Sequence, residues 1–134
     1  MIKKVTPVLI VDRIEPLLPL WDALGFARAA EVPHGDVLGF VILTRDGVEV
    51  MYQTFASVRG DEANVLDGPR AIGAAAVFIE VDDIEALAAL IPSGTDVVVA
   101  RRKTFYGSTE IVIRDGAGNV ITFAQFAQES TGAD

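Results

Sequence analysis

Apolar and polar residues alternate along the chain in short runs, and in two places the spacing changes from that of a strand to that of a helix. Residues 4–11 are rich in Val and Ile and read as a strand. From Asp12 or Arg13 to about Leu24, the leucines Leu17, Leu20 and Leu24 recur at helical spacing. Pro16 and Pro19 fit that helix only in its first turn, where backbone N–H groups lack intrahelical partners. Gly25 ends it. Strands follow at about 26–32, 37–45 and 48–54, with turns at Pro33-His34-Gly35-Asp36 and Asp46-Gly47. Residues 55–73 read as a polar connection with one helical turn near 61–65. The order then returns: strand 75–82, helix 83–91, a stop at Pro92-Ser93-Gly94, and strands 96–104, 108–114 and 119–126. Adjacent Asp82 and Asp83 suit the start of the second helix, where carboxylates accept free N–H groups. The small, polar tail is expected to fray.

The return is also a return of sequence. VDRIEPLLPL at 11–20 matches VDDIEALAAL at 81–90, with Val11/Val81, Asp12/Asp82, Ile14/Ile84, Glu15/Glu85, Leu17/Leu87 and Leu20/Leu90 identical. Arg45-Asp46-Gly47 is repeated as Arg114-Asp115-Gly116, and apolar strands flank both. Two matches in the same order argue for a duplicated module. The expected fold class is α+β, with two tandem β-α-β-β-β modules forming curved mixed sheets around a groove. The modules would occupy about 4–54 and 74–126 of a single domain, with a linker at 55–73 and a tail at 127–134.

Composition narrows the function. With 134 residues and 51% hydrophobic side chains, the chain can bury a core and is not of the disordered class. Its 19 acidic and 11 basic residues give a net charge of −8, which argues against binding nucleic acid and admits a cationic or neutral ligand. There is no cysteine, so thiolate metal sites and cysteine nucleophiles are excluded. His34 is the single histidine, which excludes any site needing two in one chain. No run reaches the roughly 18 apolar residues of a membrane span, and the N-terminal apolar run is broken by Pro7 and Asp12. A cytoplasmic protein with no membrane partner is the expectation.

The double β-α-β-β-β order, VDxIE opening each helix and Leu24-Gly25-Phe26 closing the first resemble the vicinal oxygen chelate superfamily. That group holds glyoxalase I, extradiol dioxygenases, and fosfomycin and bleomycin resistance proteins. The segment from Tyr106-Gly107 through Glu110 and Arg114-Asp115-Gly116-Ala117-Gly118-Asn119 to Phe123 resembles its C-terminal signature. The likeness covers about residues 4–126 and is closest to the metal-free bleomycin resistance-like members. It implies a groove, often completed across a homodimer, and in the family's enzymes a divalent metal held from the first and last strand of each module. Carried over, those positions are Thr6, Glu49, Ala76 and Thr122. Alanine cannot coordinate and threonine is a poor ligand, so the expectation is no metal and no cofactor.

Among the residues themselves, alternation puts Glu49 with Met51 and Gln53 on one face, opposite Val48 and Val50. Facing a groove, Glu49 would accept a hydrogen bond, pair with a ligand cation, or act as a base if burial raised its pKa. Otherwise it pairs with a nearby lysine or arginine on the rim, or is simply solvated. Tyr106 would stack on a planar ligand, or pack as a hairpin aromatic. Arg102 is the member of Arg101-Arg102-Lys103 that alternation sends to a face of its own, and the run also reads as a charged edge. His34, on a hairpin, would contact ligand or water, and Trp21 fits a core position. The candidate ligand-binding set is Thr6, His34, Glu49, Met51, Arg102, Tyr106 and Thr122, with no catalytic residue assigned. Three functions compete. The favoured one is a metal-free homodimer that sequesters a small organic ligand, such as a cationic or aromatic antibiotic. The others are a glyoxalase- or dioxygenase-like metalloenzyme with a divergent site around Glu49, and a metal-free lyase or isomerase using Glu49 as base.

Overall fold

Each half of the sequence builds the same sheet. The computed structural model describes residues 1, 3–61 and 74–127, and the chain divides into two compact units, Met1–Ala75 and Ala76–Asp134. The first contains β1 (Val8–Val11), a 3-10 turn (Glu15–Leu17), α1 (Leu18–Ala23), β2 (Ala27–His34), β3 (Val37–Arg45), β4 (Val48–Thr54) and α2 (Phe55–Asp61). Its four strands lie in the order β1-β4-β3-β2, with β1 parallel to β4 and the other neighbours antiparallel. The second contains β5 (Ala76–Glu80), α3 (Ile84–Leu90), β6 (Asp96–Lys103), β7 (Ser108–Arg114) and β8 (Val120–Phe126). Its order is β5-β8-β7-β6, again with only the first pair parallel. The α+β class and the duplicated module are therefore present in the fold.

Local chemistry explains where the elements differ from the sequence pattern. The first strand is short because Pro7 has no N–H to give a ladder, although its carbonyl still accepts from Met51 N at 3.0 Å. The first helix is broken into a 3-10 turn and α1 because Pro16 and Pro19 each stand at the start of a piece. Gly25, at φ +86, closes it in the left-handed region that favours glycine. Strand β2 runs through His34, so the turn is Gly35-Asp36 alone and His34 is not at its tip. The helix in the connection is α2, which starts at Phe55; most of the turn expected near 61–65 lies outside the described residues. Between β3 and β4, Asp46 (φ 51) and Gly47 (φ 81) make a two-residue turn with both residues left-handed, the twist an antiparallel hairpin prefers. The matching turn in the second unit is longer, and buried Asp115 ties it by accepting from Ala117 N at 2.9 Å, Asn119 N at 2.8 Å and Asn119 Nδ2 at 3.0 Å. In α3, Asp83 caps the helix by accepting from Ala86 N at 3.0 Å.

The cores differ in kind. In the first unit Trp21 is fully buried, donates from Nε1 to Tyr52 Oη at 3.0 Å, and meets the rings of Phe26 and Tyr52 edge-on. Leu17, Leu18, Leu24, Val41, Leu43 and Val50 surround them. In the second unit α3 buries Ile84 and Leu87 while the sheet buries Ile111, Ile113, Ile121 and Phe123.

Candidate functional site

Strand alternation gives each sheet one face against its helix and one turned away from it. In the first unit, Val50, Tyr52 and Thr54 are buried on the α1 side, and Glu49, Met51 and Gln53 are half-buried on the other. This is the arrangement the alternation predicts. Thr6 donates from Oγ1 to Glu49 Oε1 at 3.1 Å, and Lys4 Nζ lies 3.1 Å from the same oxygen. The Lys4 ammonium holds the Glu49 carboxyl below its usual range, against the opposing effect of burial, with Thr6 helping. Glu49 is thus pinned as an anion. The upward effect of burial is outweighed, and a carboxylate so held is a weaker base. Gln53 donates from Nε2 to Ser57 Oγ at 3.1 Å and Asp61 Oδ2 at 3.2 Å, joining this face to α2.

His34 stands elsewhere in the unit. A Cβ built on Gly39 would lie 2.6 Å from His34 Cβ, and one on Gly60 would lie 3.3 Å from its Cε1. Its neighbours are therefore Gly39 and the α2 glycine, not Thr6 or Glu49.

In the second unit the face away from α3 carries Arg102, Glu110, Val112, Thr122 and Ala124, paired as Arg102↔Glu110↔Ala124 and Val112↔Thr122. Glu110 is fully buried, and its two oxygens take four donors. Arg102 donates to Oε1 from Nε at 3.0 Å and Nη2 at 2.8 Å. Tyr106 Oη at 2.5 Å and Ser108 Oγ at 2.8 Å donate to Oε2. Burial pushes the carboxyl up, but the hydrogen bonds from Tyr106, Ser108 and Arg102 outweigh it and leave the pKa lowered. Two sequence candidates, Arg102 and Tyr106, are thus brought together by a residue that sequence reasoning did not select. The signal was available: Glu110 is a charge in the otherwise apolar end of a strand, before Ile111-Val112-Ile113.

The phenol of Tyr106 is spent on Glu110, so what it offers a ligand is its ring. That ring lies 6.3 Å from Phe126 and 5.1 Å from Phe105, and Phe126 lies 6.2 Å from Phe78. All four rings are exposed. Phe78 pairs with Thr122 across the parallel strands, so this aromatic group shares a face with Thr122 and Arg102.

Strand register revises one correspondence. Val8 pairs with Met51 and its repeat partner Phe78 with Thr122, so Thr122 is the counterpart of Met51. Two residues earlier, the counterpart of Glu49 is Val120. The metal that the fold's enzymes hold can then be tested against the side chains present. Thr6, Glu49, Ala76 and either Thr122 or Val120 supply one carboxylate, already engaged by Lys4. Among the described residues, no three His, Cys, Asp or Glu side chains gather as a metal site requires. The residues do not fit that metal. Also among the described residues, no helix is long and apolar enough to cross a membrane.

On these observations the protein has the fold of the glyoxalase/bleomycin resistance/dioxygenase proteins, the group the sequence resembles. TioX from Micromonospora sp. ML1 is similar, with a TM-score of 0.72 and 16% identity over 93% of this chain and 99% of that one. A glyoxalase/bleomycin resistance protein/dioxygenase family enzyme from Burkholderia phytofirmans PsJN gives 0.68 and 17% over 91% and 97%. A bleomycin-binding protein in complex with bleomycin gives 0.64 and 16% over 94% and 100%. No family profile and no curated protein matches the sequence.

Proposed function

We propose that this chain is a metal-free binding protein of the glyoxalase/bleomycin resistance type, its two modules folded as one domain, which sequesters a small organic ligand in the cytoplasm as a homodimer. The observation that carries this reading is the state of Glu49. At the one ligand position of the fold that retains a carboxylate, the group is neutralised by Lys4 and Thr6, and the companion positions hold Ala76 and Thr122 or Val120. The solved bleomycin-binding protein of the same fold supports it. So do the exposed rings of Phe78, Tyr106 and Phe126, which suit a ligand with planar rings. Ligand contact is assigned to Thr6, Glu49 and Met51 in the first unit and to Arg102, Tyr106 and Thr122 in the second, with His34, at the end of β2, as a further candidate. An aromatic antibiotic is the ligand class with the best support.

The test is metal analysis of the purified protein together with thermal shifts. The expected result is no stoichiometric divalent metal and no rise in Tm with added Mn, Ni, Zn or Fe. A panel of aromatic antibiotics, bleomycin included, should contain a ligand that raises Tm by mass action, about 2.7 kcal/mol of stabilisation at a hundredfold excess over Kd. Tyr106→Ala should reduce that shift. Metal bound in equal amount and lost in Glu49→Ala would overturn the reading in favour of a metalloenzyme.

A further inference from the structure

One end of the second sheet holds an open pocket of about 290 Å³, whose lining includes Lys103, Ser108, Thr109, Gln125, Phe126 and Ala127. Its Lys103, Thr109 and Gln125 lie across the sheet from Arg102 and Glu110, while Ser108, a donor to Glu110, and Phe126 belong to the other face. Register places Lys103 beside Thr109 and Thr109 beside Gln125, so these three form one row across β6, β7 and β8. Gln125 accepts from Ile84 N through Oε1 at 2.8 Å, which puts that row on the α3 face and leaves its NH2 group to donate.

The charges near this row are unequal. Arg101 is paired with Glu85 at 2.7 Å and Arg102 with Glu110 at 2.8 Å. Lys103 has no ion-pair partner among the described residues. Thr104 and Ser108 are already engaged: their hydroxyl oxygens lie 2.8 Å apart, and Ser108 also donates to Glu110. Among the described residues, no carboxylate lines the pocket. The nearby Asp83 uses Oδ1 to cap α3 through Ala86 N. What remains is an ammonium, a hydroxyl and an amide NH2 in one row, bordered by Phe126 and Ala127.

We infer that this pocket is a binding site for a small organic carboxylate, adjoining at Phe126 the face proposed above to hold the aromatic ligand. The ammonium of Lys103 pairs with the carboxylate, and the Thr109 hydroxyl and Gln125 NH2 donate to its oxygens. A short apolar body rests on Phe126 and Ala127. The volume sits just below the roughly 300–1,000 Å³ of drug-sized sites, which suits a ligand of one ring. Lys103 is the one charged residue lining the pocket among the described residues, and salt screens the more distant carboxylates behind the chain's charge of −8.

The probes are benzoate and benzylammonium, which share a ring and differ in charge, titrated into the 15N-labelled full chain. Benzoate is expected to shift the Thr109 amide and the Gln125 side-chain NH2 signals in a saturable way, and benzylammonium is not. Lys103→Gln should weaken benzoate about fivefold, the scale of one half-exposed ion pair, and Lys103→Glu should abolish binding. Lys103 is exposed, so neither variant threatens the fold. Equal shifts with benzylammonium, unchanged benzoate affinity in Lys103→Glu, or no shift at millimolar benzoate overturns the site. Any of these leaves the proposed function standing, because that reading rests on Glu49 and on the rings of Phe78 and Tyr106, none of which lines this pocket. Loss of antibiotic binding would in turn leave the benzoate result intact.

Discussion

At matching register, Phe40 of the first unit pairs with Gln53 where Glu110 of the second pairs with Ala124, and the row is completed by Ile10 in one and Glu80 in the other. Where the first unit has Glu49, the second has Val120. One backbone pattern thus carries its half-buried carboxylate near the start of β4 in one copy and a fully buried carboxylate in the middle of the sheet in the other. The ladder itself is indifferent to this exchange, since backbone pairing is the same for every residue except proline. What decides is the side-chain company. Lys4 and Thr6 reach Glu49 from the segment just before β1, and solvent shares the work. Glu110 has little solvent, and needs four donors from the β6–β7 hairpin to remain charged. The cores differ too: one is organised by a tryptophan, the other by isoleucines.

The comparison breaks first at Trp21. Trp21→Ala removes the largest side chain of the first core and leaves Tyr52 without its indole donor. A loss of about 3–5 kcal/mol is expected in urea unfolding. Ile113→Ala in the second core should cost less, about 2–4 kcal/mol. Equal losses would mean that the aromatic group organises nothing special in the first unit.

Next comes Glu110. Glu110→Ala removes the acceptor shared by Arg102, Tyr106 and Ser108 and leaves a void in the buried site, and should cost about 2–3 kcal/mol, tempered by the exposure of Arg102 and by the Thr104 hydroxyl beside Ser108. Acid should show the same contact. The folded pKa of Glu110 lies below its ordinary 4.5, so its contribution is present above that value and is lost as pH falls through the folded pKa. Unfolding midpoints measured from pH 6 downward should therefore fall less steeply in Glu110→Gln than in the wild-type chain. Parallel pH curves would show that Glu110 is not the charged centre described.

Much of the fold was legible because its signals are local. Asp46-Gly47 between alternating runs specifies a hairpin, Asp83 three residues before Ala86 specifies a cap, and the repeat fixes the order of both halves. The face of Glu49 followed from alternation alone. Helix α1 was less legible, because two prolines each start a piece where one helix was expected. The second half of the site was harder for a different reason. Glu110 acquires its meaning from Arg102, eight residues away, and from Tyr106 and Ser108, and only the register of β6 on β7 brings these together. Phe78 and Phe126 meet because β5 and β8 run parallel, a long-range pairing with no short sequence signature.

The smallest effect is expected at Glu49. Its carboxylate is bonded to Lys4 and Thr6, but Lys4 is exposed and water can replace the ammonium at little cost. Glu49→Ala should therefore leave the urea midpoint close to that of the wild-type chain, far above Glu110→Ala. High salt should weaken the Lys4 contact by screening, so raising ionic strength should narrow the small remaining gap between Glu49→Ala and wild type. Glu110, shielded from ions, should keep its effect in the same salt. If Glu49→Ala instead destabilises as much as Glu110→Ala, the first sheet holds a structural carboxylate as the second does. The claim that Glu49 remains available to a ligand would then fail, while the claim for the aromatic face of the second unit would stand.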